Sequence, residues 1–307
     1  MGLFVVGTVV VFAVGVYVAS RIVEGRRKAT DRLVTIVVTC AFLLALLPLV
    51  SVITTVVSAG IARFDAEFFN SSMRGIVGEG GGIYHAIMGT LIITGFAALM
   101  SIPVGLLTAI YLVEYGKGRL ARAITFFVDV MTGIPSIVAG LFAVALFTYL
   151  AGPGARFGFA GSVALSVLMI PVVVRSTEEM LKIVPNELRE AAFALGVPKW
   201  RTILKVVIPT SVAGIASGVT LAIARVIGET APLLITVGIT TAVNLNPFDG
   251  RMATLPVFAY LSYAAPGVPR EPYLERAFAA ALVLIIIVMV LNLLARVIAR
   301  VFAPKTR

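Results

Sequence analysis

Apolar residues gather in seven runs along this chain, near 3–20, 33–57, 85–112, 124–150, 159–174, 207–240 and 276–299, and charge, glycine or proline returns between them. About 20 consecutive apolar residues let a helix cross the hydrocarbon core of a bilayer. The pattern therefore predicts an all-α integral membrane protein. The run at 159–174 is short and must extend into its flanks, and 207–240 is long enough to contain a break. One polar stretch stands out between two apolar runs, NELREAAFALGVPKWRTILKVVIP at 186–209. It predicts a short helix with Asn186 as N-cap, Glu187 and Glu190 in the first turn, Gly196 at the stop and Pro198 beyond it. Leu188, Ala191, Ala192 and Leu195 fall at i, i+3, i+4 and i+7, which gives one apolar face, while Arg189 and Glu190 lie elsewhere. A helix of about ten residues is marginal alone in water. It needs a partner surface.

Composition agrees with the pattern: 60% of residues are hydrophobic and only 13% charged, against about 25% charged in soluble domains. In a soluble chain a net charge of +10 would suggest nucleic acid, but here the basic residues alternate by loop. Residues 21–32 hold five, 116–122 three, 175–205 six and 296–307 four, eighteen of the twenty-five in all. The positive-inside rule then puts the amino terminus outside, the carboxyl terminus inside and the 175–205 loop in the cytoplasm. Residues 1–20 lack a basic n-region and a clear cleavage site, so they read as an uncleaved first helix. Cys40 is the only cysteine and excludes an internal disulfide. Residues 1–32 form an extra amino-terminal helix with a basic cytoplasmic linker, and 33–307 form the main domain, with a cytoplasmic loop at about 176–206.

Two outside loops, 58–82 and 241–275, are rich in Gly, Pro and Asn and are candidate docking surfaces. Gly78, Gly80, Gly81 and Gly82 follow no strand and precede no Gly-Lys-Ser/Thr, so they read as a flexible loop rather than a phosphate cradle. The chain has no Walker A sequence, so nucleotide energy has to come from another subunit. Pro103, Pro135, Pro171, Pro209 and Pro232 are expected to interrupt the membrane helices or, taken singly, to kink them for packing, because proline removes a backbone donor and the freed carbonyl must face protein or a wet path.

Asp129, Arg225 and Glu229 lie inside apolar runs, where a charge costs roughly 2.5–3.5 kcal/mol at a helix centre. Arg225 and Glu229 are four apart, so they are expected to share a helix face and to pair, with a break just after them at Ala231-Pro232. They line a solute path or form a buried tie between helices. Arg225 offers an anion a permanently charged fork, and Glu229 offsets that charge when no anion is present. Asp129, near the cytoplasmic end, reads as a helix-end or inter-subunit contact before a pathway residue. His85 is expected to make an interfacial hydrogen bond rather than relay protons. Trp200 either anchors the interface or contributes to docking. No cluster of residues suggests a metal, and no nucleophile-base arrangement suggests hydrolysis.

Glu190-Ala191-Ala192, then Gly196, Val206, Ile208 and Pro209 resembles the EAA loop of ABC-importer permeases, with conservative departures at Val206 and Ile208. The stretches 225–234, 133–141, 111–115 and the run ending at Ala295 look like the PstA-type permeases of phosphate-specific transporters. The Thr-Ala-Pro after Gly228-Glu229 favours that type over the paired PstC type. The resemblance covers about 33–303. It implies a type I ABC importer transmembrane subunit of six core helices, to which residues 1–20 add one. It implies ATPase coupling through Glu190, Ala191, Ala192, Leu195 and Gly196, with Trp200 beside them. It also implies a phosphate pathway along Arg225, Glu229 and Thr230, with Asp129, Pro135, Ser136 and Pro232 as further pathway or helix-break candidates. The implied partners are a PstC-like permease, two PstB-like subunits that use ATP and Mg, and an extracytoplasmic PstS-like phosphate-binding protein. The chain itself would bind no cofactor and hydrolyse nothing, in the inner membrane of a prokaryote. Three alternatives stay open: a permease for sulfate or molybdate, a proton-coupled secondary transporter with Glu229 as its coupling site, and an assembly or signalling subunit without a path.

Overall fold

The computed structural model describes residues 2–302, with no strand among the described residues. The basic residues Lys305 and Arg307 lie outside that range. The chain divides into two compact units, Met1–Ser58 and Ala59–Arg307. The first holds α1 (Gly2–Val23) and nearly all of α2 (Arg26–Gly60). Only Glu24 and Gly25 separate these helices, and Gly25 takes a φ of +91°, which glycine adopts at little cost. Glu24 holds the turn: its carboxylate accepts from Arg32 Nη2 at 2.7 Å and from Ser20 Oγ at 3.1 Å. The basic stretch expected as a linker is thus mostly helical, and the expected boundary at 32/33 lies inside α2.

The second unit continues through a 3-10 turn at Ile61–Arg63 to α3 (Ala66–Asn70) and α4 (Tyr84–Ile110), which ends in a wide π turn at Tyr111–Tyr115. Next come α5 (Gly118–Thr132), α6 (Ser136–Ala151), α7 (Gly158–Ile183), α8 (Asn186–Ala194) and α9 (Lys199–Thr202). A second π turn at Ile203–Val207 leads into α10 (Ile208–Val226), followed by α11 (Ala231–Thr236), α12 (Leu255–Ala264) and α13 (Glu271–Phe302). Among the described residues five helical segments are long and apolar enough to cross a membrane, and α5 with α6, bent by 107°, makes a sixth if the pair is counted as one span. As expected, α7 outgrows its short apolar run, and 207–240 is broken. Pro103 and Pro171 sit inside continuous helices and make no break. Pro209 sits in the first turn of α10, where a missing N–H costs little. Of the five prolines, only Pro135 and Pro232 mark breaks.

The centre of the unit is α7, which packs against α4, α5, α6, α10 and α11. Its Leu165, Met169 and Val173 are fully buried with Ile93 and Ala97 of α4 and Ala222 of α10. Lipid is as apolar as leucine, so spanning helices associate through close contact of small residues and polar ties. Gly214 and Gly218 of α10 supply the close contact: a Cβ at Gly218 would lie 2.6 Å from Ser176 Cβ of α7. Ser162 supplies a tie, donating to the Ile93 carbonyl at 3.0 Å.

The two segments expected as open loops are built structures. Asp65 caps α3 by accepting from Phe68 N at 2.8 Å, and Phe68 is fully buried. The glycine run is pinned rather than flexible. Gly81 N donates to Glu67 Oε1 at 3.1 Å, and the Gly78 and Gly80 carbonyls accept from Arg276 Nη1 at 2.7 and 2.8 Å. In the second segment α12 buries Leu255, Val257 and Phe258, and Leu255 N donates to Thr90 Oγ1 of α4 at 2.8 Å.

Candidate functional site

The helix α8 forms where the polar stretch predicts it, one residue early. Pro185 takes the cap position, and Asn186, the first helical residue, uses Oδ1 to accept from Arg189 Nη1 at 3.3 Å. Gly196 ends the turn with a φ of +74°. Its N–H donates to Phe193 O at 2.9 Å and that of Val197 to Ala192 O at 3.1 Å, the paired bonds of a Schellman cap. Ala192 is buried, but Leu188, Ala191, Phe193 and Leu195 are exposed, Leu195 by 83%. This chain leaves most of the apolar face uncovered. Glu190 is exposed as well, and so is Trp200, whose ring lies 5.3 Å from the Arg201 guanidinium.

Arg189 attaches α8 to the membrane helices. Its Nε donates to Glu114 Oε1 at 3.0 Å, its Nη2 to Leu181 O at 3.0 Å and its Nη1 to Val184 O at 2.6 Å. One side chain thus satisfies carbonyls at the end of α7 and grips the π turn that closes α4. Both partners are sheltered: the Arg189 and Glu114 side chains are 12% and 5% exposed. Lys199 reinforces the grip by donating to the Glu114 carbonyl, with Nζ 4.9 Å from the centre of the Tyr115 ring. The sequence offered no local sign of this clamp, because Glu114 and Arg189 are 75 residues apart.

Asp129 pairs with Arg175, tying α5 to α7. Arg175 also donates to Glu178 at 2.7 Å, and Glu178 accepts from Lys182 at 2.7 Å. Asp129 is thus part of a tie between helices.

The expected pairing of Arg225 with Glu229 is not made. The helix α10 ends at Val226, and Glu229 lies in the turn beyond, its N–H donating to Val226 O at 3.1 Å. Neither residue has an ionic partner within 4.0 Å among the described residues. Pro232 has no N–H to bond the Gly228 carbonyl, and the ladder has already stopped at Val226, before the glutamate. Arg225 is exposed, and Glu229 and Thr230 are half-buried. The other break places Pro135 at the cap of α6 and Ser136 as its first residue. The two broken segments meet: a Cβ at Gly140 of α6 would lie 2.7 Å from Pro232 Cα, the second residue of α11.

Residues 101–307 match the family model described as binding-protein-dependent transport system inner membrane component. The chain belongs to that family. This inner membrane component is 46% identical over 285 residues to the phosphate transport system permease protein PstA 1 of Mycobacterium tuberculosis strain H37Rv, covering 92% of this chain and 91% of the relative. It is 47% identical over 281 residues to the phosphate transport system permease protein PstA of Mycobacterium leprae, covering 90% of each. Among solved structures, a bacterial alginate ABC transporter in complex with an alginate pentasaccharide-bound periplasmic protein matches with a TM-score of 0.62. That match spans 91% of this chain and 97% of the other at 15% identity, and it shows the shared fold of an ABC importer's transmembrane subunit.

Proposed function

We propose that this inner membrane component is the permease subunit through which an ATP-driven importer moves inorganic phosphate into the cell. The reading is carried by α8, a capped helix with an uncovered apolar face clamped to α4 and α7, in a chain similar over nearly its whole length to phosphate permeases. The positive-inside pattern puts α8 in the cytoplasm. There it docks on one of two PstB-like ATPase subunits, which supply the ATP and Mg chemistry while this chain hydrolyses nothing. Closure of the ATPase pair pushes α8, and Arg189 and Lys199 carry the push to α4 and α7.

A PstC-like permease covers the exposed side of α10, and the path runs between the two permeases past Arg225, Glu229 and Thr230. Without an ionic partner among the described residues, Arg225 keeps its fork of donors open to an anion. The α6 and α11 breaks, packed together, let the path-lining backbone shift without unfolding a full span. On the outside a PstS-like protein delivers phosphate. Labelled phosphate uptake in vesicles holding all four subunit types, competed with sulfate and molybdate, tests the cargo. Phosphate competes best on this reading, and stronger competition by sulfate or molybdate would reassign it. An Arg225→Ala variant is expected to assemble and to lose at least tenfold in uptake, and uptake at the wild-type rate would remove Arg225 from the path.

A further inference from the structure

At the far end of α4 from α8, a cavity of about 210 Å³ opens between α4, α12 and α13. Its walls include Arg276 and Tyr273 of α13, His85 of α4, Ser262 of α12, and Thr240 and Thr241, and the rest is mostly apolar. We propose that this cavity is a binding station for a tetrahedral oxyanion, separate from Arg225, with Arg276 as its main donor and His85 as its second contact. Its assignment to phosphate rests on the function proposed above; the existence of an anion site does not.

Arg276 carries the inference. Its side chain is 1% exposed and among the largest fully buried side chains of the protein. Nη1 is used by the Gly78 and Gly80 carbonyls, but Nε and Nη2 are buried without an acceptor. Those two nitrogens form one edge of the guanidinium, closed to a water-sized molecule in this structure; once the cavity wall opens to it, that edge can grip two oxygens of a phosphate or carboxylate side by side. Among the described residues no carboxylate lies within 4.0 Å of it, although four glutamates line the adjoining cleft. Tyr273 adds only its ring face, 4.6 Å from the guanidinium carbon. A buried charge without a counter-charge is strongly destabilising, so the edge calls for a partner beyond the described residues.

His85 points to which oxyanions fit. It is 2% exposed, and its Nδ1 is buried without a partner, so the expected interfacial hydrogen bond through that nitrogen is absent. An unprotonated Nδ1 accepts from the hydroxyl that phosphate and arsenate keep near neutrality and that sulfate lacks. With α8 in the cytoplasm, α4 spans the membrane between the clamp and this cavity, which places the station at the entry side. There it would receive the anion released by the binding protein before the anion reaches Arg225.

The test is equilibrium binding of labelled inorganic phosphate to the membrane complex in nanodiscs without the binding protein, beside a density map of that complex soaked in arsenate. Wild type is expected to bind phosphate, arsenate to displace it better than sulfate, and the map to show a tetrahedral peak on the Nε–Nη2 edge. Arg276→Gln is expected to weaken binding roughly ten- to a hundredfold, from the loss of two charge-assisted bonds. Arg276→Lys recovers part of the loss, and His85→Gln narrows the preference for arsenate over sulfate. Water alone at the edge, a carboxylate of the binding protein seated there, or unchanged binding in Arg276→Gln would each overturn the proposal. The wild-type map decides if the variants do not fold. Uptake separates this site from the transport reading: a complex that imports phosphate while its wild-type cavity holds none loses only the station. A complex that binds oxyanion at Arg276 but imports no phosphate loses only the transport reading.

Discussion

Arg189→Ala removes the link between α8 and the membrane helices. It leaves the Glu114 carboxylate, only 5% exposed, without its cation and strips a donor from each of the Leu181 and Val184 carbonyls. Removing one partner of a sheltered ion pair costs about 3–5 kcal/mol. At the low end, about 3 kcal/mol, the docked arrangement of α8 against α4 loses roughly a hundredfold in its equilibrium. On the proposed function the outcome is uncoupling: the ATPase subunits keep hydrolysing ATP while uptake per ATP falls at least tenfold. Uptake and hydrolysis measured on the same vesicles read this ratio. A double-mutant cycle with Glu114→Gln should return a coupling of about 1.5 kcal/mol or more. An Arg189→Ala complex with the wild-type ratio and unchanged thermal stability would refute the reasoning.

Leu195→Glu is expected to leave the stability of this chain unchanged, because Leu195 is 83% exposed, and to abolish co-purification of the ATPase subunits. Gly218→Leu drives a side chain into Ser176, where even a Cβ would lie at 2.6 Å, and should lower stability in detergent by at least about 1–3 kcal/mol; Gly218→Ala should cost less. Asp129→Asn should cost under about 1 kcal/mol in a melting experiment, since the Asp129 side chain is 58% exposed and Glu178 still holds Arg175 at 2.7 Å.

Features set by local chemistry were legible in the sequence. Apolar run lengths located five single spans and the bent α5–α6 pair, though the run at 3–20 falls short of a span among the described residues, and Gly196 marks the cap that closes α8. What failed depended on contacts distant along the chain. The Gly78–Gly82 run looks mobile in sequence, and only Arg276, some two hundred residues away, shows it to be pinned. In sequence Arg189 falls off the apolar face of an amphipathic helix, and its partner Glu114 comes from the π turn that closes α4. The spacing of Arg225 and Glu229 suggests a pair, but α10 ends at Val226, between them. Periodicity assumes that a helix continues, and that assumption is weakest where a path requires a break.

The most direct test of the account is labelled phosphate uptake into vesicles holding the complete complex, with and without ATP and a protonophore. The account predicts uptake that needs ATP, persists when the proton gradient is dissipated and disappears in the Leu195→Glu variant. Uptake driven by an imposed proton gradient in the absence of ATP would contradict it.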